Sequence, residues 1–425
     1  MFKGKQLHNW IWKWHILAGL FSLPFLFLLS VTGAIYLFKG DYEQSAYRDV
    51  IQVEKSGERL SYQQLLENAT TAAKAESSKK PSKIILPQSE TDAVEFQSGR
   101  FSSKRSTYVD PYSGEVTGSW AVSDTLMQKV RKLHGELLLG KQGTLVIELV
   151  ASWLVVLVIT GVYVWWPRGQ RGIRGLFTVR FNAGKRVMYR DLHAVTGFWV
   201  SGFLLLILAG GMPWTEVFGS NFKWLRDNTG SGYPSAYSGR GLKSAPSQGA
   251  APLSLDEMVA IARKEGLKGT VTLTFPKKAN SVFSIRNRSE DLNQQWSIHY
   301  DQYTGAKIKA FPWSEVGAMS NGRQIVMRIH QGEFFGSLNW GLVLATAVLL
   351  ALMSLSAMAS YLIRKPKGSW GIPKVPAEMR VGKGVFVLLA ILAMLLPLFG
   401  ASLLLLVAVS FLTDWRGKRR ERRLA

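Results

Sequence analysis

Six histidines and no cysteine occur among the 425 residues of this chain, so the position of each imidazole is informative. Four of the six repeat a pattern. His15 is followed by glycine at +4 and +18 (Gly19, Gly33), and His193 by Gly197 and Gly211 at the same offsets. His134 and His330 each have a glycine six residues on, Gly140 and Gly336. The missing thiols remove disulfides, thiolate metal sites, iron–sulfur clusters and covalently attached c-type haem. A redox or metal centre in this chain is left to His, Met, Tyr and carboxylates.

The elements that must carry these residues are apolar. Ile16–Phe38, Leu145–Trp166, Ala194–Trp214 and Leu338–Ile363 are largely uncharged. Each is long enough, at about 20 residues or more, to cross about 30 Å of hydrocarbon as a helix. The first run is too long for a secretory signal core and is expected to stay as an anchor. A fifth run, Val385–Leu412, is interrupted by "PLFG". It reads as two short helices turning near Pro397 and Gly400, a re-entrant pair, or a single long crossing.

The net charge of +23 is explained by where it lies. Pro167–Arg190 holds seven Lys/Arg and no acid, and Arg364–Lys383 holds six with one Glu. The long segment Lys39–Lys141 carries 15 basic and 14 acidic residues. Basic short loops beside membrane helices mark the cytoplasmic side. The charge therefore reads as topology, not as nucleic-acid binding. Both termini are expected inside and the two long segments outside. The expected divisions are helix 1–38, outer module 39–142, helix 143–166, basic loop 167–190, helix 191–214, outer module 215–336, helix 337–363, loop 364–384, membrane hairpin or helix 385–412, and tail 413–425.

The chain also reads as a repeat of itself. "HILAGLFSLPFLFLLSVTG" matches "HAVTGFWVSGFLLLILAGG", and "KLHGELLLG" matches "RIHQGEFFG". Both outer segments open on an amphipathic helix ("LSYQQLLENATTAAKA", "LSLDEMVAIARKEG"), continue in strand-like stretches and close on "DPYSG" or "DQYTG". The fold class expected is a mainly α membrane protein: an internally duplicated helical bundle with two periplasmic α+β modules. The Ser-, Gly- and Pro-rich stretch Gly230–Ala251 is expected to be a mobile external loop.

Topology sorts the histidines into two pairs. His15 and His193 open helices that start inside; His134 and His330 precede helices that start outside. Two neutral imidazoles on neighbouring helices are what an axially ligated haem b requires. The competing readings are ordinary interfacial histidines and a metal-ion site, although four ligands split between two faces cannot share one ion. His8, two turns before His15, is an alternative ligand on the same helix face. His299 reads as a surface or module residue. Gly19, Gly33, Gly197 and Gly211 suit either close helix packing or the approach of a flat macrocycle. Glu148, alone among acids in a membrane run, is a candidate proton relay or cation partner, or simply reaches water. Asp191 reads as a helix cap, and Trp10, Trp12, Trp14, Trp165 and Trp166 as interfacial belt residues.

Paired histidines at both ends of apolar helices, around outer α/β segments, resemble the PepSY-associated transmembrane family. Its members include iron-regulated membrane proteins and ferric-siderophore reductases of the FoxB type. The resemblance spans nearly the whole chain. It implies a bacterial inner-membrane protein with two haem b groups held by His15, His193, His134 and His330. It also implies reduction of a ferric siderophore or other ferric chelate on the periplasmic side. No G-x-G-x-x-G follows a strand to open a helix, so the electron donor is expected to be a separate reductase, a reduced flavin or a quinol. Two other classes remain open: an iron or siderophore permease without redox chemistry, and a membrane-anchored peptide-binding or protease-regulating module.

Overall fold

The chain opens with α1 (Phe2–Leu37), a helix with Pro24 inside it and little sidedness along its apolar length. Such a helix belongs in lipid or inside a bundle. The short α2 (Lys39–Ala46) and α3 (Arg48–Ile51) lead to α4 (Tyr62–Ala75). A capping box starts α4: the Ser61 hydroxyl accepts from the Gln64 N–H, and the Gln64 side chain accepts from the Ser61 N–H. Four strands follow, β1 (Lys83–Ile85), β2 (Val94–Ser98), β3 (Arg105–Val109) and β4 (Val116–Ala121). Then come α5 (Leu126–Glu136) and α6 (Lys141–Trp165). The link between these helices is tight, since Gly143 lies so close to the Glu136 carbonyl that any side chain there would collide.

The second half runs through α7 (Lys185–Gly211), α8 (Val217–Asn228) and α9 (Leu255–Lys264). A capping box of Ser254 and Glu257 starts α9. Strands β5 (Thr270–Thr274), β6 (Phe283–Arg288), β7 (Trp296–Tyr300) and β8 (Lys307–Pro312) precede α10 (Ala318–Gln331) and α11 (Gly336–Arg364). The chain finishes in α12 (Lys383–Leu395) and α13 (Pro397–Leu424). This computed structural model describes residues 2–100, 103–166, 172–245, 251–372 and 382–424. Four of its helices are long and apolar enough to cross a membrane: Gln6–Leu37, Lys141–Trp165, Lys185–Trp214 and Gly336–Arg364. They coincide with the four runs expected, and the protein is a membrane protein.

The chain forms two compact units. One comprises 36–130 and 226–322. All eight strands there join in one antiparallel sheet, ordered β4-β3-β2-β1-β5-β6-β7-β8. Two separate modules were expected from the sequence; instead the two long segments between membrane helices share a sheet. The seam pairs Lys83 with Thr274, Ile84 with Leu273 and Ile85 with Thr272. Pairing removes the open edge that each four-stranded half would otherwise present.

Strand alternation sorts this sheet's faces. Ile84, Phe96, Leu273, Phe283 and Ile285 are buried with Leu65 and Ala69 of α4 and Met258 and Val259 of α9. The two helices are tied at their starts, where the Asp256 carboxylate accepts from the N–H groups of Tyr62 (2.7 Å) and Gln63 (3.1 Å). The register puts Lys83, Gln97, Ser106, Ser284 and His299 in a polar row on the other face. Because Leu273 is fully buried at the seam, Leu273→Ala should cost about 2–5 kcal/mol. Hydrogen exchange should accelerate at the amides of β1 and β5; unchanged protection at the seam would contradict this account.

The expected loop over Gly230–Ala251 is tied down wherever it is described, and residues 246–250 lie outside the described residues. The Tyr237 carbonyl accepts from Arg286 and the Ser297 hydroxyl, and Ala245 N–H donates to Asp301. Its small residues let the backbone lie flat against strand side chains: a Cβ on Gly239 would stand 3.0 Å from His299 Nδ1.

The other unit comprises 1–35, 131–225 and 323–425. Leu26, Val150, Leu154, Val200, Leu204 and Leu350 form a core where α1, α6, α7 and α11 meet. Exposed positions such as Leu349, Leu352 and Leu355 are apolar too, as a lipid-facing surface requires. The fifth apolar run is two helices, broken at Leu396 close to where sequence placed a turn, and so is not one continuous helix. Phe399, fully buried just past the break, meets Trp153 edge-on with ring centres 4.9 Å apart.

Candidate functional site

Four histidines form two facing pairs within the helical unit. The rings of His15 (α1) and His193 (α7) have centres 6.4 Å apart and planes at 68°. Those of His134 and His330 are 6.1 Å apart at 86°. His134 and His330 precede membrane helices α6 and α11, as expected, and each lies in the last turn of a separate amphipathic helix, α5 or α10. On α1, His15 and Thr32, the residue that touches His134, are 17 positions apart. At 1.5 Å per residue that is about 25 Å of helix, so one pair lies toward each end of the bundle.

Every one of the four rings spends Nδ1 on a neighbouring helix. His15 Nδ1 is 2.9 Å from the Thr160 hydroxyl of α6, and His134 Nδ1 is 3.0 Å from the Thr32 hydroxyl of α1. His193 Nδ1 faces the Met353 carbonyl of α11 at 3.5 Å, and His330 Nδ1 the Ile207 carbonyl of α7 at 2.7 Å. A carbonyl only accepts, so His193 and His330 must donate from Nδ1 and carry their lone pair on Nε2. Glycines make room for the rings. A Cβ on Gly33 would sit 3.2 Å from His134 Cε1, one on Gly161 3.1 Å from His15 Cε1, and one on Gly211 3.5 Å from His330 Cε1.

These donor sets suit a group that needs two imidazoles on opposite sides of one metal. With metal–nitrogen bonds of about 2 Å and about 1.1 Å from nitrogen to ring centre, two such rings stand about 6.2 Å apart. The observed 6.4 and 6.1 Å bracket that spacing. The residues present therefore fit two bis-histidine haems, one at each pair.

The remaining candidates separate by their contacts. Gly33 and Gly211 lie against histidine rings, Gly197 lies against the Met353 sulfur, and Gly19 approaches only Leu157 at 4.0 Å. His8 lies 6.3 Å from the Tyr163 ring, whereas His15 is the α1 histidine that faces His193. Glu148 has a structural partner. Fully buried, its carboxylate accepts from the N–H groups of Val217 (2.9 Å) and Phe218 (2.8 Å), closing the N-terminus of α8. Asp191 is not a cap, since α7 begins at Lys185; it is buried and takes a two-pronged contact from Arg180. His299 is not a surface residue. It is enclosed in β7 between the hydroxyls of Ser284 (2.8 Å) and Ser297 (3.3 Å), and burial beside Arg286 pulls its imidazole down to about 4.

Sequence reasoning missed Thr32, Thr160, Gly161 and Gly210. The only trace was the dipeptide Thr-Gly at 32–33 and 160–161, near the end of two apolar runs. Trp12 and Trp165 lie under Arg364 and Arg190, as belt tryptophans beside basic loops do. A search of curated proteins finds no match for the chain. The model of one family, described as the PepSY-associated TM region, matches residues 12–364. That span covers the four membrane helices, the shared sheet and all four paired histidines, and the chain belongs to that family.

Proposed function

We propose that the protein is a dihaem b electron carrier of the bacterial inner membrane that reduces a ferric chelate, such as a ferric siderophore, on the periplasmic side. The observation that carries this reading is the pair of facing histidines toward each end of the bundle. When bound, the two haems supply a one-electron path between the membrane faces and the reduction of Fe(III) to Fe(II), which oxygen-donor chelators hold less tightly. His15 and His193 grip the cytoplasmic-side group, His134 and His330 the periplasmic-side one. Their Nδ1 contacts orient each ring, and the apolar cores around them keep water from the path. The matching element order of the halves supports reading them as a duplication, with one member of each pair from each half. A permease or a passive anchor has no use for matched imidazoles, each with its own acceptor.

Purified protein should show b-type absorption bands and yield two haems per chain to acid–acetone. The nearly crossed imidazole planes should give a strongly anisotropic low-spin ferric signal. Absent haem, or haem that resists extraction, would remove the proposal. Direction is tested apart. The basic loops predict periplasmic reporters after Lys80 and cytoplasmic ones after Lys367; the opposite pattern would reverse the path while leaving the sites intact.

A further inference from the structure

We infer that Thr32 and Thr160 are positioning residues, each holding one histidine of a pair in the tautomer that leaves Nε2 for the metal. This assignment rests on the haem reading above and goes beyond it by naming which residues set ring orientation and metal preference at each site.

The argument turns on where each hydroxyl proton goes. Thr160 Oγ1 donates to the Val156 carbonyl four residues back at 2.8 Å, and Thr32 Oγ1 donates to the Leu28 carbonyl at 2.7 Å. A hydroxyl has one hydrogen, and both are spent within their own helix. Toward the imidazoles at 2.9 and 3.0 Å these oxygens can only accept. His15 and His134 must therefore carry their proton on Nδ1. The threonines thus do for two rings what main-chain carbonyls do for His193 and His330.

The glycine after each threonine completes the device. Gly161 and Gly33 are the residues whose missing side chains let Cε1 of His15 and His134 lie against the helix backbone. Thr-Gly on α6 thus seats a ring from α1, and Thr-Gly on α1 seats a ring from α5. Each site has one side-chain acceptor and one main-chain acceptor from a neighbouring helix, and at the His134–His330 site the Leu29 carbonyl also lies beside His134. The two sites differ in how much rests on the threonine. In the His134–His330 pair the carbonyl contact is short, 2.7 Å; in the His15–His193 pair it is long, 3.5 Å. Hydrogen bonds weaken steeply at that length, so Thr160 carries more of the orientation at its site than Thr32 does.

Donation from Nδ1–H makes Nε2 a stronger electron donor, which favours ferric over ferrous iron. Losing the acceptor should raise the midpoint potential of the haem concerned. A tenfold loss of ferric preference corresponds to about 59 mV for a one-electron couple. Outer partners of metal-bound histidines also matter for retention, at about 10–100-fold in affinity.

The test uses the purified full chain as wild type, Thr160→Val, Thr160→Ser, Thr32→Val and Thr32→Ser. Spectroscopic redox titration and the rate of haem loss to an acceptor protein are the readouts, and neither depends on turnover. Each valine variant should raise the potential of one haem only and speed its loss, more for Thr160→Val than for Thr32→Val, with the serine variants near wild type. Two bound haems whose potentials and loss rates ignore valine would overturn the assignment, as would serine behaving like valine, or loss of both haems from one substitution. A wild-type protein without haem would instead overturn the functional reading, and this assignment with it.

Discussion

His330→Ala and His193→Ala should both abolish overall turnover yet differ in half of the reaction. On the proposed function, a chain without His330 would keep only His134 to hold the group at that end of the bundle, and haem there should be lost or weakened. The remaining haem still takes electrons but has no route to an external ferric chelate. Without His193 the outer haem persists, and after chemical reduction it should be reoxidised by ferric chelate as fast as in the wild type. Anaerobic stopped-flow on dithionite-reduced variants, with excess reductant removed, reads this directly. Equal reoxidation of the two variants would mean that the pairing or the direction is wrong.

Gly210→Ala should have the next largest effect, although glycine 210 binds nothing. A Cβ there would stand 2.5 Å from the Val326 carbonyl oxygen and 2.7 Å from His330 Cβ. Both belong to α10, and the first is main chain, so α10 must back away from α7. The 2.7 Å bond from His330 to the Ile207 carbonyl cannot survive that shift. The expected result is haem binding at the His134–His330 site weakened about tenfold or more, with an overpacking cost of about 1–3 kcal/mol. Gly202→Ala is the control, because a Cβ there meets nothing within 4 Å. If the two alanine variants share one spectrum and one melting profile, the close crossing of α7 and α10 has no bearing on the site.

Which histidines pair was legible from the apolar runs, the basic loops that orient them and the internal repeat, because runs of bilayer length leave few places for a boundary residue. The acceptors were not. Thr32 and Thr160 lie 102 and 145 positions from the rings they contact, and a β-branched residue in an apolar helix reads as filler. Glu148 looked chemical for the opposite reason, since a lone acid in a greasy run invites a role, while Asp191 looked like a cap because it stands near the start of an apolar run. The Glu148 carboxylate is satisfied by α8 backbone about 70 positions on, and that of Asp191 by Arg180 and the adjacent Arg190. Six of the eight strands were legible as strand-like stretches; β4 and β8, which follow the turns taken as the close of each segment, were not, and neither was the seam between β1 and β5. Three-residue β1 has too little pattern to declare a partner nearly two hundred positions away.

That seam has a consequence in time. Ribosomes add about 5–20 residues per second, and Thr270 follows Ile85 by 185 residues. For about 10–40 s, then, β1 has been made and its partner has not. An unfilled edge of this kind recruits whatever strand is nearest, another nascent copy included. Lys79 and Lys80 lie just upstream of β1, and Lys83 is its first residue. Like charges repel copies of the same edge, so a half-buried lysine in the middle of an eight-stranded sheet would disfavour that mispairing until β5 is made.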